Sequence, residues 1–358
     1  MGESSEAVRR ARGLKLLPLT DPRRYGTGDI AHPLLRLAED DQQRPELTRA
    51  LRELAASGSD VEIGGLLAAA ASQPVYTRIW RALCDAIEKP AGDEGVAARV
   101  FAIPWIIVCA ADSAATLTCV LPDVGELARV LETNGVFGGS RNLGLGNTLA
   151  SIETLERLRP SEVLRWSEAP AAHDVPPAGI HVARGVEEVH VRFLLGASVA
   201  PASAPGIVET GSNVGVWGTP ALRAMTAQLA TAGVQILPMP RPPAGVYSAA
   251  YAGRRAGIEA AFNLFMSHGV RQFRSIVGDP HVTLSSHAGG ELRVTLSNPL
   301  DDTLLEGFRW PLHPADDLAE VEGALTAMIW ECRLAEPHFA PGVLPDFSST
   351  GAVLYPRV

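Results

Sequence analysis

Between residues 281 and 297 the chain alternates. Val282 and Leu284 interleave with Thr283 and Ser285, and beyond His287-Ala-Gly-Gly-Glu291 the set Leu292, Val294 and Leu296 interleaves with Arg293 and Thr295. Successive side chains of a strand point to opposite faces, so the pattern writes two strands with one apolar and one polar face, joined by a glycine turn. An apolar sheet face has to be covered by another element. A third strand over 307–310 extends the hairpin as a meander. Pro314 then opens a helix whose stripe is Leu318, Val321, Leu325, Met328 and Cys332, with Asp316 and Asp317 in the first turn, where carboxylates suit the helix dipole. The expectation is an antiparallel meander whose dry face this helix covers.

The rest of the chain is patterned as a mixture. Residues 1–30 lack periodicity and read as an irregular arm. Residues 31–95 read as a helical section, with Pro45 opening one helix (Leu47, Leu51, Leu54), Asp60 a second, and Pro74 a third (Val75, Ile79, Leu83, Ile87). Residues 96–167 form an α/β section. Its apolar run from Phe101 to Leu121 is interrupted by Pro104 and Asp112, too short and broken to span a bilayer, and reads as two buried strands. The proline- and alanine-rich stretch 168–180 reads as a linker or long loop. A second α/β section follows over 181–336, with a strand from Glu188 to Leu195, a helix capped by Thr219 and opened by Pro220, a strand over 234–237 and a long helix over 248–266. Residues 337–358 read as an irregular tail. The fold class expected is α/β, with a mixed α+β arrangement as its variant: a helical front, a mixed sheet with covering helices, and the terminal meander.

Two glycine-rich segments invite a chemical reading. Residues 134–147, Asn-Gly-Val-Phe-Gly-Gly-Ser-Arg-Asn-Leu-Gly-Leu-Gly-Asn, carry glycines four residues apart. A phosphate-cradling loop would then need Lys and Ser/Thr, where Leu145 and Gly146 stand. The dinucleotide fingerprint fails too, because Leu149 occupies its third glycine position and the preceding residues are patterned as a helix. Asn134-Gly135 reads as a helix stop, and Asn147 or Thr148 as the cap of a following helix with Leu149, Ile152, Leu155 and Leu158 on one stripe. An anion could be held there by Gly139, Ser140, Arg141, Asn142 and the amides beyond Thr148. The second segment, 209–219, offers Ser212, Asn213 and Thr219 at another helix start. Arg141, with Arg254 or Arg255, would supply fork-like contacts to an anionic small molecule.

Elsewhere the chemistry is thin. His281, His287 and Glu291 could form a two-histidine, one-carboxylate metal set, but six strand residues separate the imidazoles by roughly 20 Å. His190 shares a strand face with Arg192. The cysteines Cys84, Cys109, Cys119 and Cys332 lack a paired spacing and read as small apolar residues. No catalytic motif is complete, so neither a cofactor nor a metal is expected, and whether the chain is an enzyme stays open. A formal charge of −9 disfavours wholesale nucleic-acid binding. The polar N-terminal residues and the broken apolar run point to a cytoplasmic chain without a membrane segment. These features favour a non-enzymatic protein-interaction or scaffold component of a bacterial cytoplasmic assembly, with a protein partner or self-association. The alternative is an α/β enzyme or binding protein that holds an anionic small molecule at 134–147 and 209–219.

Overall fold

A computed structural model describes residues 31–70, 72–89, 96–110, 112–134, 141–168, 175–185, 187–201, 214–229, 233–237, 244–287, 291–335, 338–339 and 354–355. The chain is a mixed α/β protein that divides into two compact units, one ending at Ala256 and one beginning at Gly257. The 168–180 stretch lies within the first.

Among the described residues, the first unit opens with four α-helices, α1 (Ala31–Glu39), α2 (Arg44–Ala56), α3 (Asp60–Ala68) and α4 (Gln73–Glu88). Pro45 and Pro74 sit in the first turns of α2 and α4, where a missing N–H costs nothing. The helices bury Leu47, Leu51, Ile79, Leu83 and Ile87. Arg52 of α2 donates to the carbonyls of Ala86 and Lys89, closing the end of α4.

The sheet of this unit has the order β3-β5-β1-β6, all antiparallel: β1 (Val96–Cys109), β3 (Arg141–Ser151), β5 (Glu188–Pro201) and β6 (Val234–Leu237). A small second sheet pairs β2 (Ala115–Leu117) with β4 (Ile180–Val182), so the two strands read in the 101–121 run belong to different sheets. One face of the large sheet packs with α5 (Val124–Thr133), α8 (Val214–Leu229) and the small sheet around Phe101, Trp105, Leu127, Leu149, Leu194 and Met225. Two short helices, α6 (Ile152–Arg157) and α7 (Pro160–Glu168), follow β3.

Three readings of this unit change. The stretch 141–151 is a strand, whereas its spacing predicts a loop running into a helix cap. Its register slips twice against β5, and Gly196 makes the crossing close: a Cβ there would stand 2.8 Å from the Gly144 carbonyl. The helix after it begins at Ile152, and Ser151 is its cap, accepting from the Thr154 amide at 3.2 Å. β5 runs six residues past Leu195, because its small residues are hydrogen-bonded to β1 and β3 on both sides. Finally, α8 starts at Val214, which places Pro220 inside the helix instead of in its first turn.

Helix α9 (Val246–Arg274) is longer than the periodicity suggests and runs from the first unit into the second. In the first unit its Gly253 approaches Phe193 and Pro104 on the opposite sheet face, where a Cβ would be 2.6 Å from Phe193. The second unit is a five-stranded sheet of order β10-β7-β8-β9-β11, with β7 (His281–His287), β8 (Glu291–Ser297) and β9 (Leu304–Pro311) as the expected antiparallel meander. β10 (His338–Phe339) and β11 (Leu354–Tyr355) add to its edges in parallel.

The dry face of the meander is met by α9: Phe262 packs edge-on against Phe308 and Trp310, and Phe265 against Phe308. The polar face is not wet, since Ser285, Arg293 and Thr295 are buried. Arg293 is satisfied there by Glu291 at 2.8 Å. The last helix, α10, spans Leu318–Glu331. Asp317 caps it by accepting from the Ala319 and Glu320 amides, and Asp316 accepts from His313, so both carboxylates stand before the helix instead of inside its first turn. The buried stripe is Val321, Leu325 and Ile329, rotated from the expected one, which leaves Leu318 exposed.

Candidate functional site

The residues singled out as ligand contacts fall unevenly. Gly139, Ser140, Ser212 and Asn213 lie outside the described residues. Arg141 and Asn142 open β3, their backbones alone being described. Thr148 sits in the middle of β3, buried, and its hydroxyl donates to the Val175 carbonyl at 2.7 Å. It therefore stitches the strand to the residues before β4 and offers no helix-terminal amides. Thr219 is an exposed residue in the second turn of α8 and does not cap it. Arg254 is committed to the buried carboxylate of Glu156 at 2.7 Å, across from α6. His281 lies 3.5 Å from Asp302.

The topology nevertheless brings the flanks of the two glycine-rich segments together. Arg141, where β3 begins, pairs in register with Val199, two residues before β5 ends at Pro201. The start of α5 is tied to the end of α8 by Gln228, which donates to the Asp123 carbonyl at 2.7 Å and accepts from its amide at 3.1 Å. The two helices pack together, so they run antiparallel. α5 begins beside the middle of β3, where Leu121 donates to Asn147, and packs against that strand. α8 is the longer helix, about 24 Å against about 15 Å at 1.5 Å per residue. Ser198 lies near the end of the sheet where β3 starts and β5 stops, 1% exposed, on the face covered by α5 and α8, and its hydroxyl has no partner among the described residues.

A second cluster lies at the other end of β5. Glu188, His190 and Arg192 alternate along one strand face, a pattern readable in sequence as three polar residues at period two. His190 Nε2 is 3.0 Å from Glu188. Burial, then the Arg192 charge, hold the imidazole below its ordinary value, against the pull of Glu188 and Glu153. Arg192 donates to the carbonyls of Ala178 and Val191 at 2.8 and 2.9 Å. Burial raises the thiols of the nearby Cys109 and Cys119, which keeps them protonated and poor nucleophiles. The guanidinium is used up by main-chain carbonyls, so this cluster fastens the 175–179 segment to the sheet.

A third feature is the exposed apolar end of the second unit. Arg274 at the end of α9 donates to the carbonyls of Cys332 and Arg333, just past α10, at 3.1 and 3.3 Å. Such a contact satisfies carbonyls that a helix end leaves without partners. The same arginine pairs with Asp279. β7 starts at His281, beside Asp302 in the turn between β8 and β9. Ile276 just past α9, Leu300 in the β8–β9 turn and Trp330 near the end of α10 are 71%, 86% and 57% exposed. Asp279, Asp301, Asp302, Glu331 and Arg333 lie within three residues of them in the sequence. Sequence spacing could have found Leu300, which sits in an Asn-Pro-Leu-Asp-Asp turn, and Trp330, which is one residue off the buried stripe of α10.

No family model, no curated protein and no solved structure matches this chain. No helix among the described residues is long and apolar enough to cross a membrane.

Proposed function

We propose that this chain is a non-enzymatic protein-interaction or scaffold component of a bacterial cytoplasmic assembly, docking through the end of its second unit. The observation that carries this reading is the exposure of three large apolar side chains of the second unit, Ile276, Leu300 and Trp330, each beside charged residues in the sequence. Scattered exposed apolar residues are ordinary, but an apolar centre with a polar rim has the composition of a protein interface. Tryptophan is also enriched among the residues that dominate binding energy. Two of the three side chains lie in turns, so they can be replaced without disturbing the core.

The experiment compares the wild type with Ile276→Asp/Leu300→Asp and with Trp330→Ala. Light scattering on the pure proteins reads self-association, and a pull-down from the native cell reads partner retention. At about 2 kcal/mol for a central interface residue, each variant should weaken the complex roughly 30-fold while melting like the wild type. A strictly monomeric wild type with no retained partner, or a partner retained equally by all three proteins, overturns the reading.

A ligand-binding role is the second reading. It is supported by the pairing of the β3 start with the β5 end, which flank the two glycine-rich segments. An anionic small molecule is the class that helix-terminal amides and arginines suit. A thermal-shift screen with nucleotides and phosphorylated metabolites tests it, and the absence of any shift counts against it.

A further inference from the structure

We propose that Glu88 is a proton-operated clasp: with a proton on its carboxyl it holds the first turn of α9 against the end of α4, and loss of that proton lets this turn open locally while the sheet of the first unit stays folded. The contacts of that turn are few. Just before it, Ala244 and Ala102 of β1 exchange backbone hydrogen bonds at 2.9 and 3.3 Å, a bridge of a single residue pair. Tyr247 stacks on Trp80 and donates its hydroxyl to the Leu158 carbonyl at 2.6 Å. The remaining contact is Glu88. Its Oε1 accepts from the Tyr247 amide at 2.5 Å and the Ser248 amide at 3.0 Å, and its Oε2 lies 2.5 Å from the Ser248 hydroxyl. Gly245 presses on the same group, since a Cβ there would stand 2.2 Å from the carboxyl carbon. One oxygen taking both N–H donors and the other facing a hydroxyl suits a neutral carboxyl, whose carbonyl accepts while its O–H donates to Ser248 Oγ.

The surroundings offer an ionised Glu88 no counter-charge. Among the described residues no Lys or Arg pairs with it. On its own helix, Asp85 is a second acid and takes up Arg44 at 2.5 Å and Lys89 at 2.9 Å, and Cys84 is a thiol hydrogen-bonded to Ser248. From α2, Arg52 turns to the carbonyls of Ala86 and Lys89. α9 brings the neutral Tyr247 and Ser248, and the charges acting on Tyr247, Asp60 of α3 and Glu162 of α7, are also acidic. Burial outweighs the hydrogen bonds to the anion and pushes the carboxyl up to about 7. A glutamate released to water loses its proton near 4.3. The closed form is therefore complete below that value and loses ground until pH passes 7, by roughly a hundredfold between pH 5 and pH 8.

The test is hydrogen exchange read by mass spectrometry on the full-length protein, comparing wild type with Glu88→Gln at matched pH so that the chemical exchange rate cancels. For peptides carrying the Tyr247 and Ser248 amides, the ratio of wild-type to E88Q rates should rise roughly a hundredfold between pH 5 and pH 8. Low urea separates a local opening from unfolding of the whole unit, because only the latter exposes much surface. At pH 8 the 247–248 amides of the wild type should exchange at least tenfold faster than those of 191–195 in β5 and ignore urea, while 191–195 speeds up with it. Wild type alone gives the pH dependence where E88Q folds poorly, referenced to an unstructured peptide of the same sequence at each pH. A ratio flat with pH, or E88Q exchanging faster than wild type at pH 8, overturns the clasp. So does exchange at 247–248 that matches 191–195 in rate and in urea dependence, since the turn then opens only when the unit unfolds.

Discussion

Glu88 offers the sharpest test of how the first unit is held together. It stands at the end of α4, and its carboxylate reaches the start of α9, a helix more than 150 residues away in sequence. One oxygen accepts from the Tyr247 and Ser248 amides at 2.5 and 3.0 Å, and the other accepts from the Ser248 hydroxyl at 2.5 Å. Glu88 thus caps a helix it does not belong to, and Trp80 stacks on Tyr247 beside it at 5.6 Å. Burial pushes its carboxyl up to about 7, against the three hydrogen bonds and with a small push from Asp85. An unfolded glutamate loses its proton near 4.3. Between these values the folded chain keeps a proton that the unfolded chain has released, so stability is complete at low pH and falls as pH rises toward 7. The size follows from the shift, about 3 kcal/mol across that window.

Glu88→Gln mimics the protonated form at every pH. Its carbonyl oxygen still accepts both amides, and its NH2 can donate to Ser248. Urea melts should therefore find E88Q close to wild type at pH 4.5 and more stable than wild type by about 2–3 kcal/mol at pH 8. Glu88→Ala leaves two α9 amides without acceptors and should be weaker than E88Q at both values by about 1–3 kcal/mol. The reasoning fails if E88Q is the less stable protein at pH 8. That would mean the helix-terminal amides hold the carboxylate ionised and burial is the smaller effect.

Four further outcomes follow from the packing. Gly196→Ala would drive a Cβ against the Phe101 ring and to within 2.8 Å of the Gly144 carbonyl, and thermal melting should show a loss of about 1–3 kcal/mol. Arg192→Met leaves the Ala178 carbonyl without its donor and should cost about 2 kcal/mol in the same assay. In that variant the His190 imidazole should also titrate at higher pH by NMR, because the charge that helps hold it down is gone. The wild type, with His190 held below its ordinary value, should lose this contribution as pH falls through about 6.5, where the unfolded imidazole takes up a proton.

What the sequence revealed and what it hid divide along one line, the difference between local and shared causes. The meander of β7, β8 and β9 was legible because each strand carries its own alternation, and α2 and α4 because Pro45 and Pro74 sit at their starts. β3 was not legible. Residues 141–151 carry four of their eleven positions as Gly or Asn, a turn composition, and become a strand only because β5 supplies a hydrogen-bonded neighbour and Gly196 lets the two come close. Pro220 misled for a related reason: its local preference for a first turn is outweighed by a helix that packs Ala221, Ala224 and Met225 into the core.

The same line explains the candidate sites. The glycine-rich segments stand out by composition, yet the strand ends that flank them meet only through a register, Arg141 of β3 opposite Val199 of β5, which no single segment encodes. Leu300 and Trp330 were readable as surface residues from a turn and a helical period. What ties the end of α9, two residues before Ile276, to the end of α10 is Arg274, whose guanidinium spans 58 residues. If that arginine is what assembles the apolar end, Arg274→Ala should weaken partner retention as much as Leu300→Asp does, although its own side chain is occupied by carbonyls and Asp279. An R274A protein that keeps its partner while L300D loses it would show that the turn alone carries the contact.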